Sequence, residues 1–501
     1  MKSKFLSALC LCASLVGVLS AAPPTLAPLF PAGGQRGATV ELNAKAKFWS
    51  NDKSLAFDGS KVKIAADAAP GTHWLRAVND DGASALRPFI VGTLPEVLEQ
   101  EPNDDPKQAH SLAEGCTVNG KLAKSGETDC FSIAAKKGQT LVASLEANRT
   151  LKSPMDAVIQ IVSLDGFILD ENHDFRGLDP QVTYPIPKDG TYVVRVFAFP
   201  SQPDTSIRFS GAETYIYRLT ITTGGFLDHC VPLAAIGKPF EPRGWNLPPD
   251  ATPLTFKDGV AFHPKLGGAT RPKLDPKATT HLIAKPGEEV AVPFTAKKGQ
   301  SFAIEASSRS LGLPVDPVIR VVDKEKKTLA RAEPPKLHSD TALSFSAPAD
   351  GDYSVVVSDL YSQGGPRHAF ALRIAPQEPD YELTVASDRF TIPVGKPLEA
   401  PVKIARRGGF AKPIVIAPSG LPAGVTFSVK PPGEKPDPNT VTLVFTAAKP
   451  TAGGPFRITG TVKDDPAMAR IAKAPLAEFD DHTESLWVNA GEAPPEPKKK
   501  K

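Results

Sequence analysis

Three blocks of this chain occur twice, and the distance between the copies barely changes. Ala135-Lys136-Lys137-Gly138-Gln139 returns as Ala296-Lys297-Lys298-Gly299-Gln300, Met155-Asp156-Ala157-Val158-Ile159 as Val315-Asp316-Pro317-Val318-Ile319, and Asp189-Gly190-Thr191-Tyr192 as Asp350-Gly351-Asp352-Tyr353, with shifts of 160 or 161 residues. A fourth block, 215–221, matches 368–374 at a shift of 153, so the first copy carries a loop eight residues longer. Blocks held in register over such a distance mark a duplicated unit. The chain must therefore fold twice into nearly the same shape.

That shape is β. In the first copy, apolar and polar residues alternate over 116–122, 129–134, 140–146, 157–162, 191–197 and 215–221, with Lys137-Gly138, Asp165-Gly166 and Asp189-Gly190 as turns between them. The 51 prolines and 39 glycines are spread along the chain as turn punctuation, a pattern that predicts an all-β fold. A chain of 501 residues is too long for one core, and about three to five domains are expected. The fold class predicted is therefore a string of β-sandwich domains.

The ends and the charge bound the function. Lys2 and Lys4 precede the apolar run 5–19, and Ser20, Ala21 and Ala22 supply small residues for cleavage, so residues 1–21 read as a signal peptide and the protein as secreted, extracellular or periplasmic. No later stretch holds the ~18 apolar residues of a membrane span, so no transmembrane segment is expected in the mature chain. The formal charge is +3, but without Lys2, Lys4 and Lys498 to Lys501 the body carries 52 basic against 55 acidic side chains. That balance argues against a nucleic-acid partner. Beyond the leader remain Cys116, Cys130 and Cys230. An odd number leaves at least one unpaired, and a Cys116–Cys130 bridge stays open although alternation sets the two side chains on different faces.

Around the repeats the chain divides further. Residues 23–94 alternate short β patterns with turns at Asp58-Gly59 and Pro70-Gly71 and resemble a small Ig-like domain of the TIG kind. The Pro-rich stretch 225–280 reads as a linker or degenerate β module. Residues 380–466 resemble another Ig-like domain. Residues 467–501, rich in Pro, Ala and charge, read as a flexible basic-ended tail.

The stretch Glu99-Gln100-Glu101-Pro102-Asn103-Asp104-Asp105 sits between the first module and the first repeat. If extended, it places Glu99, Glu101 and Asn103 on one face, and Pro102 favours that conformation at Glu101. Asp104 at the next turn adds an oxygen donor, and Glu127 and Asp129 add two from a later strand. Hard oxygens in this number suit Ca²⁺. The alternative is a solvated acidic linker with two acids on an exposed edge.

The order EPND, GETDCF, AKKGQ, a Met-Asp-Ala-Val-Ile strand and DGTYVVRV resembles the bacterial pre-peptidase C-terminal domain, over 95–224 and, in a divergent copy, over 281–376. The resemblance implies a compact jelly-roll-like sandwich on secreted proteins. It also implies Ca²⁺ on Glu99, Glu101, Asn103, Asp104, Glu127 and Asp129, with Glu127 standing where the family commonly has Asp. The second copy has Val290 at the position of Asp129 and no Glu-x-Glu-Pro-Asn before it, so its metal site is expected to be lost.

Catalytic signals are missing. There is no Gly-x-Ser-x-Gly, no His-Glu-x-x-His and no Gly-rich phosphate loop. A glycosidase pair would need one carboxyl in an apolar pocket, unlike this dense polar cluster. His173, His229 and His482 beside acids read as structural pairs, and Cys230, beside His229 but followed by Val231-Pro232-Leu233, as a partly buried structural cysteine rather than a reactive thiol. Phe197, Phe199 and Phe209 flank the longer loop and could form an interface or pack on themselves. The expectation is a secreted non-enzymatic protein that binds or displays, with Ca²⁺ stiffening the junction before the first repeat and an unknown protein or polysaccharide surface as partner. The alternative is an accessory chain of a secreted protease system.

Overall fold

The computed structural model describes residues 22–491 except 114, 203–204, 206–207, 235–238, 434, 436, 477 and 480. The expected signal peptide and the lysine-ended terminus lie outside the described residues. The duplicated unit is a sandwich of two sheets, with one strand order in both copies. In the first copy one sheet runs Gln181–Pro185, Thr140–Glu146, Ile216–Thr222, Cys116–Lys121, and the other runs Asp129–Ala135, Gly190–Pro200, Met155–Val162, Ile168–Asn172. In the second, Thr341–Ser346, Ser301–Ser307, Ala369–Pro376, Ala278–Leu282 repeat the first order, and Val290–Ala296, Gly351–Asp359, Pro317–Asp323, Thr328–Ala332 the second. Every other residue turns inward: Phe131 and Ile133, Ile159 and Ile161, Val194 and Val196, Tyr217 and Leu219 fill the first core.

Among the described residues, the first copy has two strands that the second lacks. Glu96–Leu98 pairs parallel with Cys116–Lys121 in one sheet, and His110–Ser111 pairs parallel with Asp129–Ala135 in the other. The acidic stretch between them therefore crosses from sheet to sheet at one edge of the sandwich. It is a strap on the first repeat, which corrects its reading as a joint between modules.

That joint is packed by other groups. The Arg218 guanidinium, buried, pairs with Glu96, the Ala32 amide donates to Asn119 Oδ1 at 3.1 Å, and Phe30, Ala32, Ile90, Leu151 and Ile216 form an apolar seam. The first module itself is a small sandwich around Phe48, Val62, Ile64, Leu75 and Phe89.

Two expected boundaries move. Residues 225–280 hold hairpins Phe226–Val231 with Glu241–Trp245 and Thr255–Lys257 with Val260–Phe262 around Leu227, Cys230, Phe240, Leu254 and Ala261. This is a β module, and the second repeat starts at Ala278 rather than 281. The last sandwich does not end at 466: Leu486–Gly491 pairs parallel with Arg389–Pro393 and antiparallel with Thr451–Val462. Composition alone had drawn residues 467–491 into a tail, but Leu486, Trp487, Val488 and Ala490 are buried in the sandwich.

The first and last sandwiches also touch. Trp49 meets Trp487 edge-on with ring centroids 5.4 Å apart, Trp74 meets Phe479 at 4.9 Å, and Asn489 Nδ2 donates to the Asp81 carbonyl at 2.7 Å. The string of sandwiches is closed on itself. Among the described residues no helix is long and apolar enough to cross a membrane.

Candidate metal centre

Three carboxylates converge where the strap meets the second sheet. Oxygens of Glu99, Glu101 and Asp129 all lie within 4.8 Å of one another. Glu99 is fixed by the Lys121 amide at 2.9 Å and by the Tyr217 hydroxyl at 3.1 Å. The same hydroxyl lies 2.5 Å from Asp129 Oδ2. Glu101 Oε2 accepts from the Asn103 amide at 3.0 Å across a cis Glu101–Pro102 peptide. Asn103 is fully buried, and its carbonyl accepts the Cys130 amide at 2.9 Å, locking the strap to the strand that carries Asp129.

Two buried groups here have unmet valence. Both side-chain polar atoms of Asn103 and Oδ1 of Asp129 are shielded from solvent with no hydrogen-bond partner. An unpartnered buried polar atom costs roughly 1–3 kcal/mol, and a cation on the Asn103 and Asp129 oxygens would remove that cost for both of them, leaving only the Asn103 Nδ2 donor unmet. Gly120 makes room for the arrangement, since a Cβ there would stand 2.4 Å from the Tyr217 hydroxyl and 2.5 Å from Glu99 Oε2.

The other two expected donors stand apart from this group. Glu127 is buried, but its Oε2 accepts from the Lys124 amide at 3.0 Å and its Oε1 lies 3.5 Å from Lys124 Nζ. Asp104 is exposed, and its carbonyl accepts from Thr128 Oγ1 at 2.7 Å. The tight donor set is therefore Glu99, Glu101 and Asp129, with Asn103 against it.

Electrostatics point the same way. Burial, and then the Glu99 charge, push the Asp129 carboxyl far above the usual carboxylate range. Burial also raises Glu99, against the pull of the Lys121 amide and Tyr217, and raises Glu101. A carboxyl whose folded pKa is raised holds its proton longer folded than unfolded, so stability falls as pH rises above the unfolded value near ~4. In EGTA, chemical denaturation is expected to show stability dropping from pH 5 toward pH 8, by up to about 1.4 kcal/mol per pH unit for each proton retained. Asp129→Asn should flatten that slope. An unchanged slope in the variant would remove Asp129 as its source.

Tyr217 was not among the expected site residues, yet the repeat carries its signal. At the shift of 153 it meets Phe370, and Asp129 meets Val290 at 161. The hydroxyl and the carboxylate vanish together in the copy without a strap, where His281 stands opposite Phe370 as Gly120 stands opposite Tyr217, and stacks on it.

Two acid–histidine pairs whose rings are buried are structural, whereas His173 is exposed 3.8 Å from Glu171 and His482 is exposed. His73 Nδ1 pairs with Asp52, but its Nε2 lies 2.8 Å from the Ala69 carbonyl, leaving neither ring nitrogen for a substrate. His229 Nδ1 lies 2.9 Å from Asp228, itself buried beneath two arginines. Phe197, Phe199 and Phe209 pack on one another, the Phe197 and Phe209 centroids 4.3 Å apart. The three cysteines are free and buried. Cys116 and Cys130 lie in opposite sheets of the first repeat, and burial raises the Cys130 and Cys230 thiols to about 12.

Comparison with known proteins adds a narrow likeness. No family model matches the chain. Over 362 residues it is 24% identical to a protein described as a probable subtilase-type serine protease of Deinococcus radiodurans, covering 63% of this chain and 46% of that protein. The chain thus spans less than half the length of this relative. Among solved structures, the M60 catalytic domain with two CBM51 domains from Clostridium perfringens ZmpB overlaps 66% of this chain and 43% of its own, with 9% identity and a TM-score of 0.15. A Salmonella alpha-2-macroglobulin mutant overlaps 95% and 47%, with 9% identity and a TM-score of 0.16. Scores this low carry no argument.

Proposed function

We propose that this chain is a secreted, non-enzymatic assembly of β-sandwiches that binds or displays. Its two repeats would be pre-peptidase C-terminal domains, the first holding a structural Ca²⁺. The observation that carries the metal is the pair of buried, unpartnered groups on Asn103 and Asp129 beside the Glu99 and Glu101 carboxylates. An ion there would pin the strap across the edge of the first repeat, binding strand 96–98 of one sheet to the Asp129 strand of the other. Since the joint to the first module is packed by Arg218, Glu96 and an apolar seam, the ion would act inside the repeat and stiffen the joint only through Glu96–Leu98.

Calorimetry of the wild type and Asp129→Ala, each in EGTA and in 10 mM Ca²⁺, tests this. With an affinity near ~0.1 mM, as in weak extracellular modules, the wild type should gain about 2.7 kcal/mol and the variant nothing. A wild-type transition that ignores Ca²⁺ would remove the metal.

The likeness to a subtilase-type protease favours a second reading, an accessory chain of a secreted protease system. Pull-down of the chain with a secreted subtilase against pull-down with an insoluble glycan separates the two readings, and incubating the purified chain with casein tests the non-enzymatic assignment that both share. Hydrolysis blocked by a serine-directed inhibitor would overturn the non-enzymatic assignment.

A further inference from the structure

The two repeats face each other across a cleft of about 270 Å³ whose charged lining is cationic. The duplication builds it. Arg149 lies in the single helical turn Asn148–Leu151 of the first copy, and Arg309 in the turn Arg309–Leu311 of the second, 160 residues later. In each copy an aspartate holds that turn: Asp179 accepts the Asn148 amide at 2.7 Å, and Asp340 accepts the Ser308 amide at 2.9 Å. Each repeat thus offers one arginine to the cleft from the equivalent place.

Four cations line the cleft, and two of them, Arg149 and Lys152, have no carboxylate in ion-pair range among the described residues. Arg149 Nη1 and Arg176 Nε stand 3.8 and 3.7 Å from the point where a side chain would begin at Gly312. Arg309 spends its charge on buried Asp316, and Arg176 on Asp228 through Nη2. Arg176 Nε stays buried with no partner. Among the described residues no carboxylate lines the cleft. His338 stands at the rim 3.6 Å from Asp316. Like charges held this close repel unless an anion sits between them. Guanidinium N–H groups suit a planar carboxylate or a sulfate oxygen pair.

The remaining lining decides the ligand's body. Phe175 has one ring face under the Arg367 guanidinium, 4.1 Å from its centroid, with Arg176 5.7 Å away, and the apolar part of the cleft lining is the Phe175 edge with Leu178 and Leu313. A volume of this order holds one sugar ring, whose C–H face packs on apolar surface while its substituent meets the arginines. We infer that the cleft between the repeats binds the carboxylate- or sulfate-bearing residue of an acidic oligosaccharide. This deepens the reading of the chain as a binder and rests on it. It does not use the calcium site, whose occupancy the calorimetry above measures separately.

The test is titration of the full chain, in Ca²⁺ and again in EGTA, with a sulfated hexasaccharide, an oligogalacturonate hexamer, neutral maltohexaose and a hexaglutamate peptide. Arg149→Ala with Lys152→Ala removes the two cations that have no ion-pair partner, and a melting curve of the variant checks that buried Asp179, held by the Asn148 and Arg149 amides, still folds in place. Lys297→Ala with Lys298→Ala removes equal charge from an exposed turn of the second repeat. At least one acidic saccharide should bind while maltohexaose does not. The cleft variant should weaken it at least about tenfold, as the loss of two charge-assisted contacts requires, and the turn variant should leave it unchanged. Whether the sulfated or the carboxylated sugar binds tighter identifies the oxyanion. Equal weakening in both variants would show diffuse charge attraction and overturn the site. Tighter binding of hexaglutamate than of any saccharide would overturn the sugar assignment, and no binding by any acidic probe would overturn the inference whole.

Discussion

Replacing Asp228 by alanine should cost about 3–5 kcal/mol of stability, the penalty for removing one partner of a buried ionic network. The carboxylate sits in the central module, yet it serves three parts of the chain. Arg176 of the first repeat reaches its Oδ1 at 2.9 Å, Arg367 of the second reaches Oδ2 at 2.8 Å, and His229 lies 2.9 Å away. Burial alone would raise this carboxyl, but the His229 and Arg367 hydrogen bonds and the two guanidinium charges hold it well below the usual carboxylate range. Because the folded pKa is depressed, its contribution is fully in place above the unfolded pKa near ~4 and is lost progressively as pH falls from there through the folded pKa. Urea denaturation at pH 7 and at pH 3 checks both points. The wild-type advantage over Asp228→Ala should be large at pH 7 and smaller by about 1 kcal/mol at pH 3, where the unfolded carboxyl has taken its proton and the folded one has not. A difference under about 1 kcal/mol at pH 7 would show that the repeats are held together elsewhere.

The contact between the first and last sandwiches yields an asymmetric expectation. Arg76 is fully buried, with its guanidinium carbon 5.9 Å from the ring centroids of both Trp49 and Trp487. Its Nη2 donates to Asp388 at 3.1 Å, while Nε and Nη1 find no partner. Burial lowers its pKa to about 10 even with Asp388 beside it. Asp388→Ala would strand the cation, and a loss of about 3–5 kcal/mol is expected. Arg76→Met should cost little, because a side chain of similar length fills the gap between the tryptophans and Asp388 keeps Arg389, 3.4 Å away. Buried ion pairs replaced by apolar groups of like volume are often neutral or stabilising. Equal losses in the two variants would mean that the pair itself, and not the stranded charge, sets the energy. Scattering of Asp388→Ala should also show whether the circuit opens before the domains melt.

How much of this was legible beforehand depends on the range of each signal. Alternation within a strand and turn residues between strands are local, and they located the strands that carry the core residues Phe131, Ile159 and Val194. The repeat register carried further, because two copies of one fold must share strand order; it also separated a first copy with Asp129 from a second with Val290. Boundaries drawn on composition failed at 467–491, where a proline- and charge-rich stretch ends in the buried strand Leu486–Gly491. Burial follows from what a segment pairs with, and composition does not record that.

The acidic stretch shows the division most plainly. Oxygen-rich residue types at 99–104 and at 127 and 129 were enough to suggest a cation, since that chemistry belongs to the side chains themselves. Which of them meet was decided by two short parallel strands, Glu96–Leu98 and His110–Ser111, that turn a linker into a strap. Tyr217 then reaches Asp129 from 88 residues away, as Arg76 reaches Asp388 from 312. The sequence by itself determined the period of the strands, the duplication and the kinds of donor available, because each is written in neighbouring residues or in copies of them. Only the tertiary structure decided the partners, because a contact between distant side chains depends on how whole sheets are stacked.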